Sequence, residues 1–265
     1  MSPARKRART YDSAKIRKAV AAQFDHVREA VHTLGPEQLA LPTRLGDWSV
    51  RELVAHIALC VDVVARLVDM PEPPKAEITV LDWAFGTAAN ASRLSEAARE
   101  IAGRDVDADA CLTAVAERLS GTLAGNPDGR VLAFRTGALT LADLLVTRTV
   151  ELVVHTDDLN AAVPGLQVPY DRQALAACTR LLADALAAKA PGGSTEVRVP
   201  PYAVVQCVEG PRHTRGTPPN VVETDPLTWV RLATGRLAWK DALADAKVSA
   251  SGERADLGGL LPVMS

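Results

Sequence analysis

Apolar residues recur at three- and four-residue spacing through most of the first 190 positions, the period that lays one apolar stripe along an α-helix. The pattern predicts helices from about Ser13 to Leu34, Ser49 to Val68, Val80 to Ile101, Ala108 to Leu123, Leu139 to Ala162 and Arg172 to Ala188. They are separated by turn chemistry at Pro36, Met70-Pro71-Glu72-Pro73-Pro74, Gly125-Asn126-Pro127-Asp128-Gly129 and Val163-Pro164-Gly165. Ser49 followed by Glu52 fits a capping box at the start of the second helix. Amphipathic helices with mostly short connections fold naturally as an antiparallel bundle.

The pattern changes after Ala190. Pro191-Gly192-Gly193-Ser194 reads as a linker, and Thr195 to Val199 then alternates as a strand does. Ala203 to Val208 and Val221 to Thr224 read as further strands, broken by Pro200-Pro201 and Pro218-Pro219. Helices at Pro226 to Thr234 and Trp239 to Ala244, a strand at Ala246 to Ser251 and a last helix at Glu253 to Leu261 are expected to complete the chain. Residues 13–190 are thus expected to form the helical bundle and 195–265 a small α+β domain. Residues 1–12, with Arg5, Lys6, Arg7 and Arg9, are expected to be a disordered, solubilising end. No apolar stretch follows those charges, as an export signal requires, so a cytoplasmic location is expected.

Composition narrows the function classes. A net charge of −2 lacks the basic footprint of a nucleic-acid binder. At 48% hydrophobic and 23% charged residues the chain can build a core, and no apolar run approaches the roughly 18 residues of a membrane span. Cys60, Cys111, Cys178 and Cys207 form no C-x-x-C pair and lie in apolar stretches, so they read as small buried hydrophobes.

The candidate chemistry lies with two of the five histidines. Of His26, His32, His56, His155 and His213, His56 and His155 sit inside apolar helical periods where a solvated face is not expected. Glu151 and His155 are one helical turn apart and project from the same face, with Asp158 continuing it and Arg148 preceding it. A carboxylate and an imidazole so spaced are how a helix offers two ligands to a metal ion, and His56 is the best candidate for a third from another helix. Such a set leaves coordination positions open, as catalysis requires. The same spacing also occurs on solvated helix faces, and a core histidine is commonly just hydrogen-bonded.

Leu45-Gly46-Asp47-Trp48-Ser49-Val50-Arg51-Glu52-Leu53-Val54-Ala55-His56 resembles the W-[ST]-V-R-E-L-x-x-H segment of the mycothiol-dependent maleylpyruvate isomerase family, within the DinB/YfiT-like group of four-helix metal proteins. Glu151, His155, Asp158 and Leu159 resemble that family's second ligand motif, and the resemblance spans roughly residues 15 to 165. It implies a DinB-like up-and-down four-helix bundle holding a divalent metal, usually zinc, on His56, Glu151 and His155. It implies too that a low-molecular-weight thiol such as mycothiol approaches the open position to act on a small electrophilic substrate, by isomerisation or transfer. Asp158 would then orient His155 from behind.

Cys60 follows His56 by one turn, but the further cysteine of zinc-binding anti-sigma factors is Val63 here, and Cys60 reads as a core residue. Trp48 reads as a structural anchor. In a regulatory protein Cys60 or Asp158 would instead close the site as a fourth ligand.

The segment from Thr224 to Arg236 and the run Lys247-Val248-Ser249-Ala250-Ser251-Gly252-Glu253 resemble sterol-carrier-protein-2-like domains. The whole is therefore expected to be an α+β two-domain protein. That second resemblance implies an alternative function, carriage of a lipid or apolar small molecule. The isomerases' catalytic arginine does not map onto a single position of this chain: Arg231 and Arg236 are equally available for it, and both also read as surface charge.

Overall fold

Asp12 caps the first helix by accepting from the Lys15 amide, and Ile16, Val20, Phe24, Val27 and Val31 then fall on one buried face of α1 (Ser13–His32). The structure is a computed structural model that describes residues 9–87, 91–103, 107–210 and 219–264. The residues expected to form a disordered basic end lie outside them as far as residue 8. Arg9 is described, and it pairs with Asp184 at 2.7 Å.

Four long helices close the bundle. These are α1, α3 (Val50–Val68), α6 (Ala108–Gly125) and α7 (Leu141–Ala162). α1 and α3 each pack against both α6 and α7. A short turn, α2 (Pro36–Leu39), precedes α3. The apolar period from Val80 to Ile101 is not one helix but two, α4 (Val80–Gly86) and α5 (Ala91–Ala102), broken after Gly86. Leu139 and Thr140 are likewise not helical. They pair as β2 with β1 (Val131–Leu132), and Thr140 then caps α7. A pair this short has no periodicity to read.

Ser49 caps α3 as expected. Its hydroxyl accepts from the Glu52 amide, and the Glu52 carboxylate takes the Ser49 amide at 2.6 Å. Replacing Ser49 by alanine should cost about 1 kcal/mol. Urea unfolding checks this, and a loss below about 0.3 kcal/mol would show the cap to be dispensable.

Past the bundle, α8 (Arg172–Lys189) lies over α1 and α7 on one side. On its other side it meets β4 (Ala203–Cys207) and α9 (Pro226–Ala233). Strands β3 (Thr195–Val199), β4, β5 (Val221–Thr224) and β6 (Val248–Ser251) form a mixed sheet in the order β4-β3-β5-β6. The β3–β5 pair is parallel and the other two are antiparallel. β3 alternates buried and half-buried residues, as a strand with one face on a core does. The chain is thus a helical bundle followed by a small α+β unit.

The Pro191–Ser194 stretch is pinned beside the end of β4. A Cβ on Gly192 would stand 1.9 Å from the Val208 carbonyl oxygen, and the Val208 amide donates to Ala190 O at 2.9 Å. α10 (Trp239–Ala244) follows α9 as expected, but the helix expected at Glu253–Leu261 does not form. Gly252 takes φ +105°, Gly258 and Gly259 weaken any helix, and the Arg254 amide is taken by the Asn220 side chain. No helix among the described residues is long and apolar enough to cross a membrane.

Candidate metal centre

Because α1, α3 and α8 all pack on α7, that helix is buried on most of its circumference, with Leu144, Leu145, Val150, Leu152 and Val153 fully so. Its buried polar groups must therefore find partners inside the protein. Thr147 and Thr149 donate back to the Leu144 and Val146 carbonyls. Arg148, Glu151, His155, Asp157 and Asp158 pair with each other and with groups brought from elsewhere.

One turn of α3 faces this row. His56 Nε2 lies 3.8 Å from Glu151 Oε2, and His155 Nε2 lies 3.4 Å from the same oxygen. The two imidazole rings meet edge to face with centroids 4.7 Å apart. Cys60 Sγ stands 3.2 Å from His56 Nε2. Trp48 packs its ring 5.1 Å from that of His56 at the mouth of α3. Donors about 2.0–2.3 Å from a tetrahedral ion stand roughly 3.3–3.7 Å apart, so the two nitrogen–oxygen spacings and the imidazole and carboxylate chemistry fit a divalent metal. The donors that all lie within 4.8 Å of one another, however, are those of His56, Cys60 and Glu151 and not of His155. Both histidines are buried, while Glu151 keeps 15% of its side chain exposed, which opens the cluster to solvent.

The second ring nitrogen of His155 is held as well. Asp158 Oδ2 lies 2.8 Å from His155 Nδ1, which places a proton on Nδ1 and leaves Nε2 facing Glu151. Arg148 donates to the Cys60 carbonyl oxygen at 3.0 Å and lies 3.8 Å from Glu151, tying α7 to α3 at this level.

Burial opposes charge on His56, yet Cys60 and Glu151 lift its pKa to about 9. Burial also opposes charge on His155, which Asp158 and Glu151 raise in turn. Glu151 resists its own burial and is held well below the usual carboxylate range by the two histidines and Arg148. The cluster attracts positive charge, and a divalent ion would displace the protons it shares.

Beyond Asp158 lies an ionic clasp. Asp158 accepts from Arg44 Nε at 2.6 Å and from Arg236 Nη2 at 2.8 Å. Asp157 accepts from Arg231 Nη2 at 2.6 Å, from Arg44 and from the Tyr170 hydroxyl. Both carboxylates are buried, at 1% exposure or less. Arg44 comes from the loop before α3, and Arg231 and Arg236 from α9 and the turn after it. The clasp therefore joins the bundle to the α+β unit. Arg231 and Arg236 both enter it, one on each carboxylate.

Sequence reasoning missed Arg44 and Asp157 and read Cys60 as core packing. The one-turn His56–Cys60 spacing already put both on one face, with Cys60 as a fourth ligand only in the regulatory alternative; nothing in a loop arginine 114 positions from Asp158 announces such a contact. Of the other histidines, His26 Nδ1 lies 3.2 Å from the Pro169 carbonyl and His32 Nδ1 lies 2.9 Å from Asp109. His213 lies outside the described residues.

Two family models match this chain, one on either side of residues 161–170. A family model described as the mycothiol maleylpyruvate isomerase N-terminal domain matches residues 20–160, just over half of the chain. One described as bacterial SCP ortholog matches residues 171–263, which takes in α8, a helix that spacing alone groups with the bundle. No curated protein matches the chain. The crystal structure of the mycothiol-dependent maleylpyruvate isomerase superposes with a TM-score of 0.57 at 13% identity, covering 93% of this chain and 95% of that one. A histidine-to-alanine mutant of that enzyme gives 0.56 at the same identity and coverage. At that identity the likeness is one of fold. The matched segment runs from α1 to Asn160 of α7 and carries both halves of the cluster, and the chain belongs to the family defined by the mycothiol maleylpyruvate isomerase N-terminal domain.

Proposed function

We propose that this protein is a metal-dependent isomerase or thiol transferase of the mycothiol-related kind, with zinc held by His56, Glu151 and His155. The observation that carries the reading is the meeting of both imidazole Nε2 atoms at one Glu151 oxygen, 3.4 and 3.8 Å away. When bound, the metal supplies a Lewis acid that makes an incoming low-molecular-weight thiol, such as mycothiol, a thiolate at neutral pH.

The chain's own groups do the rest. Asp158 holds the proton on His155 Nδ1 and so keeps Nε2 available. Arg148 anchors Glu151 in its ionised form. Trp48 shields one side of His56 from water. Arg231 and Arg44 are each about one-third exposed, so they can meet an anionic electrophile at the edge of the clasp. A small electrophilic substrate and a cytoplasmic location belong to this reading.

Elemental analysis tests it. The wild type is expected to carry about one zinc per chain, and His56→Ala and His155→Ala are expected to lose it. A wild type that stays metal-free after zinc is added back would end the reading.

A second reading has its own observation. The α+β unit carries a half-open hollow of about 890 Å³ lined by Leu232, Trp239, Leu243 and Pro262 together with Lys240 and Asp256, a size suited to a small molecule with an apolar face. Displacement of a fluorescent fatty acid checks for carriage there, and an unchanged signal would dismiss it.

A further inference from the structure

The three donor atoms that lie within 4.8 Å of one another in this cluster are those of His56, Cys60 and Glu151. Cys60 is 6% exposed and sits one turn after His56 on α3, on the face that meets α7. Its sulfur is 3.2 Å from the imidazole nitrogen that faces Glu151. His56 Nδ1 has no hydrogen-bond partner, so the polar contacts of that ring all run through Nε2, toward Cys60 and Glu151. Arg148 grips the Cys60 carbonyl and fixes this turn of α3 at the level of Glu151.

From this geometry we propose that Cys60 is a thiolate ligand of the metal, beside His56, Glu151 and His155. The proposal rests on the metal reading above. A thiol that meets a zinc ion is deprotonated outright, and imidazole with thiolate is a donor set zinc favours. His155 Nε2, 3.4 Å from Glu151 but outside the set of mutually close donors, would have to move in as the fourth ligand, and the resting site would then be closed to water. An external thiol enters only by exchange. One metal–sulfur bond breaks and another forms, the entering thiol gives its proton to Cys60, and the charge at the site does not change. Cys60 thus acts as a resident competitor for the thiol position, and it sets how readily a soluble thiol gains the site.

The test is spectroscopic. Zinc X-ray absorption of the wild type should show one sulfur neighbour at about 2.3 Å among lighter ones at about 2.0–2.1 Å. The cobalt-substituted wild type should show a near-ultraviolet thiolate-to-cobalt charge-transfer band. Cys60→Ala should still bind the metal through its three remaining donors, lose sulfur shell and band, and regain the band when β-mercaptoethanol is added. Cys178→Ala removes the buried thiol of α8 and should keep both signals.

A wild type whose metal has only nitrogen and oxygen neighbours overturns the Cys60 assignment and leaves the histidines and Glu151 in place. A wild type that takes up no metal overturns the metal reading and Cys60 with it. If Cys60→Ala does not fold, the wild-type absorption spectrum still decides.

Discussion

Replacing Asp158 with alanine is expected to lower the free energy of unfolding by about 3 kcal/mol, the low end of what breaking a buried charge pair costs. Metal binding should weaken about 10–100-fold in the same variant. The Asp158 side chain is wholly buried and serves three groups, the ring N–H of His155 and the guanidinium groups of Arg44 and Arg236. Alanine leaves His155 Nδ1 without an acceptor, while Arg44 keeps Asp157 and Arg236 keeps the Thr234 carbonyl oxygen. The low end applies because Arg44 and Arg236 keep 29% and 15% of their side chains exposed and can turn toward water. His155 cannot, and its tautomer becomes free to flip.

Asp158→Asn separates the two effects. The amide oxygen can still accept from His155 Nδ1, but the charge facing the arginines is gone. Most of the metal affinity should return while most of the stability loss remains. Urea unfolding measures one quantity and competition with a chromophoric zinc chelator the other. An alanine variant that binds metal like the wild type would show that Asp158 belongs to the clasp alone.

The second large effect is expected at Trp229. Its indole is 1% exposed, packs where α9 meets α8, and donates to the Thr179 carbonyl oxygen at 3.3 Å. Trp229→Ala should cost about 3–5 kcal/mol, since the cavity adds to the lost burial. The loss should also reach the clasp, because Arg231 follows two residues later on α9 and its pairing with Asp157 depends on how α9 is seated. The variant should melt at lower temperature and be cut sooner by protease near residues 190–194 than the wild type. Phenylalanine keeps most of the volume and should recover most of the loss. A cost below about 1 kcal/mol, the size of an ordinary substitution, would mean that α9 is held by the clasp rather than by the indole.

The features that were legible in the chain are those written within one or two helical turns. The ends of α1, α3, α7 and α8 follow from prolines, glycines and caps, and the Ser49–Glu52 box stands where its spacing put it. Glu151, His155 and Asp158 share a face because a helix repeats every 3.6 residues, and the family motifs joined His56 to them. The failures were local as well. At residues 253–261 an apolar rhythm suggested a helix, but Gly252, Gly258 and Gly259 and the Asn220 side chain offered the backbone a better arrangement.

Sequence alone determined the fold class, the bundle followed by a sheet, and the row of polar residues along α7, because backbone geometry sets these over a few neighbouring positions. Only the tertiary structure decided that the turn of α3 carrying His56 and Cys60 stands at the level of Glu151. It also decided that Asp157, off the face of Glu151, meets Arg44 and Arg231 from elements 113 and 74 positions away. A buried charge must find its opposite wherever packing brings one. That meeting depends on how α3, α7 and α9 are seated together, and no spacing along the chain encodes it.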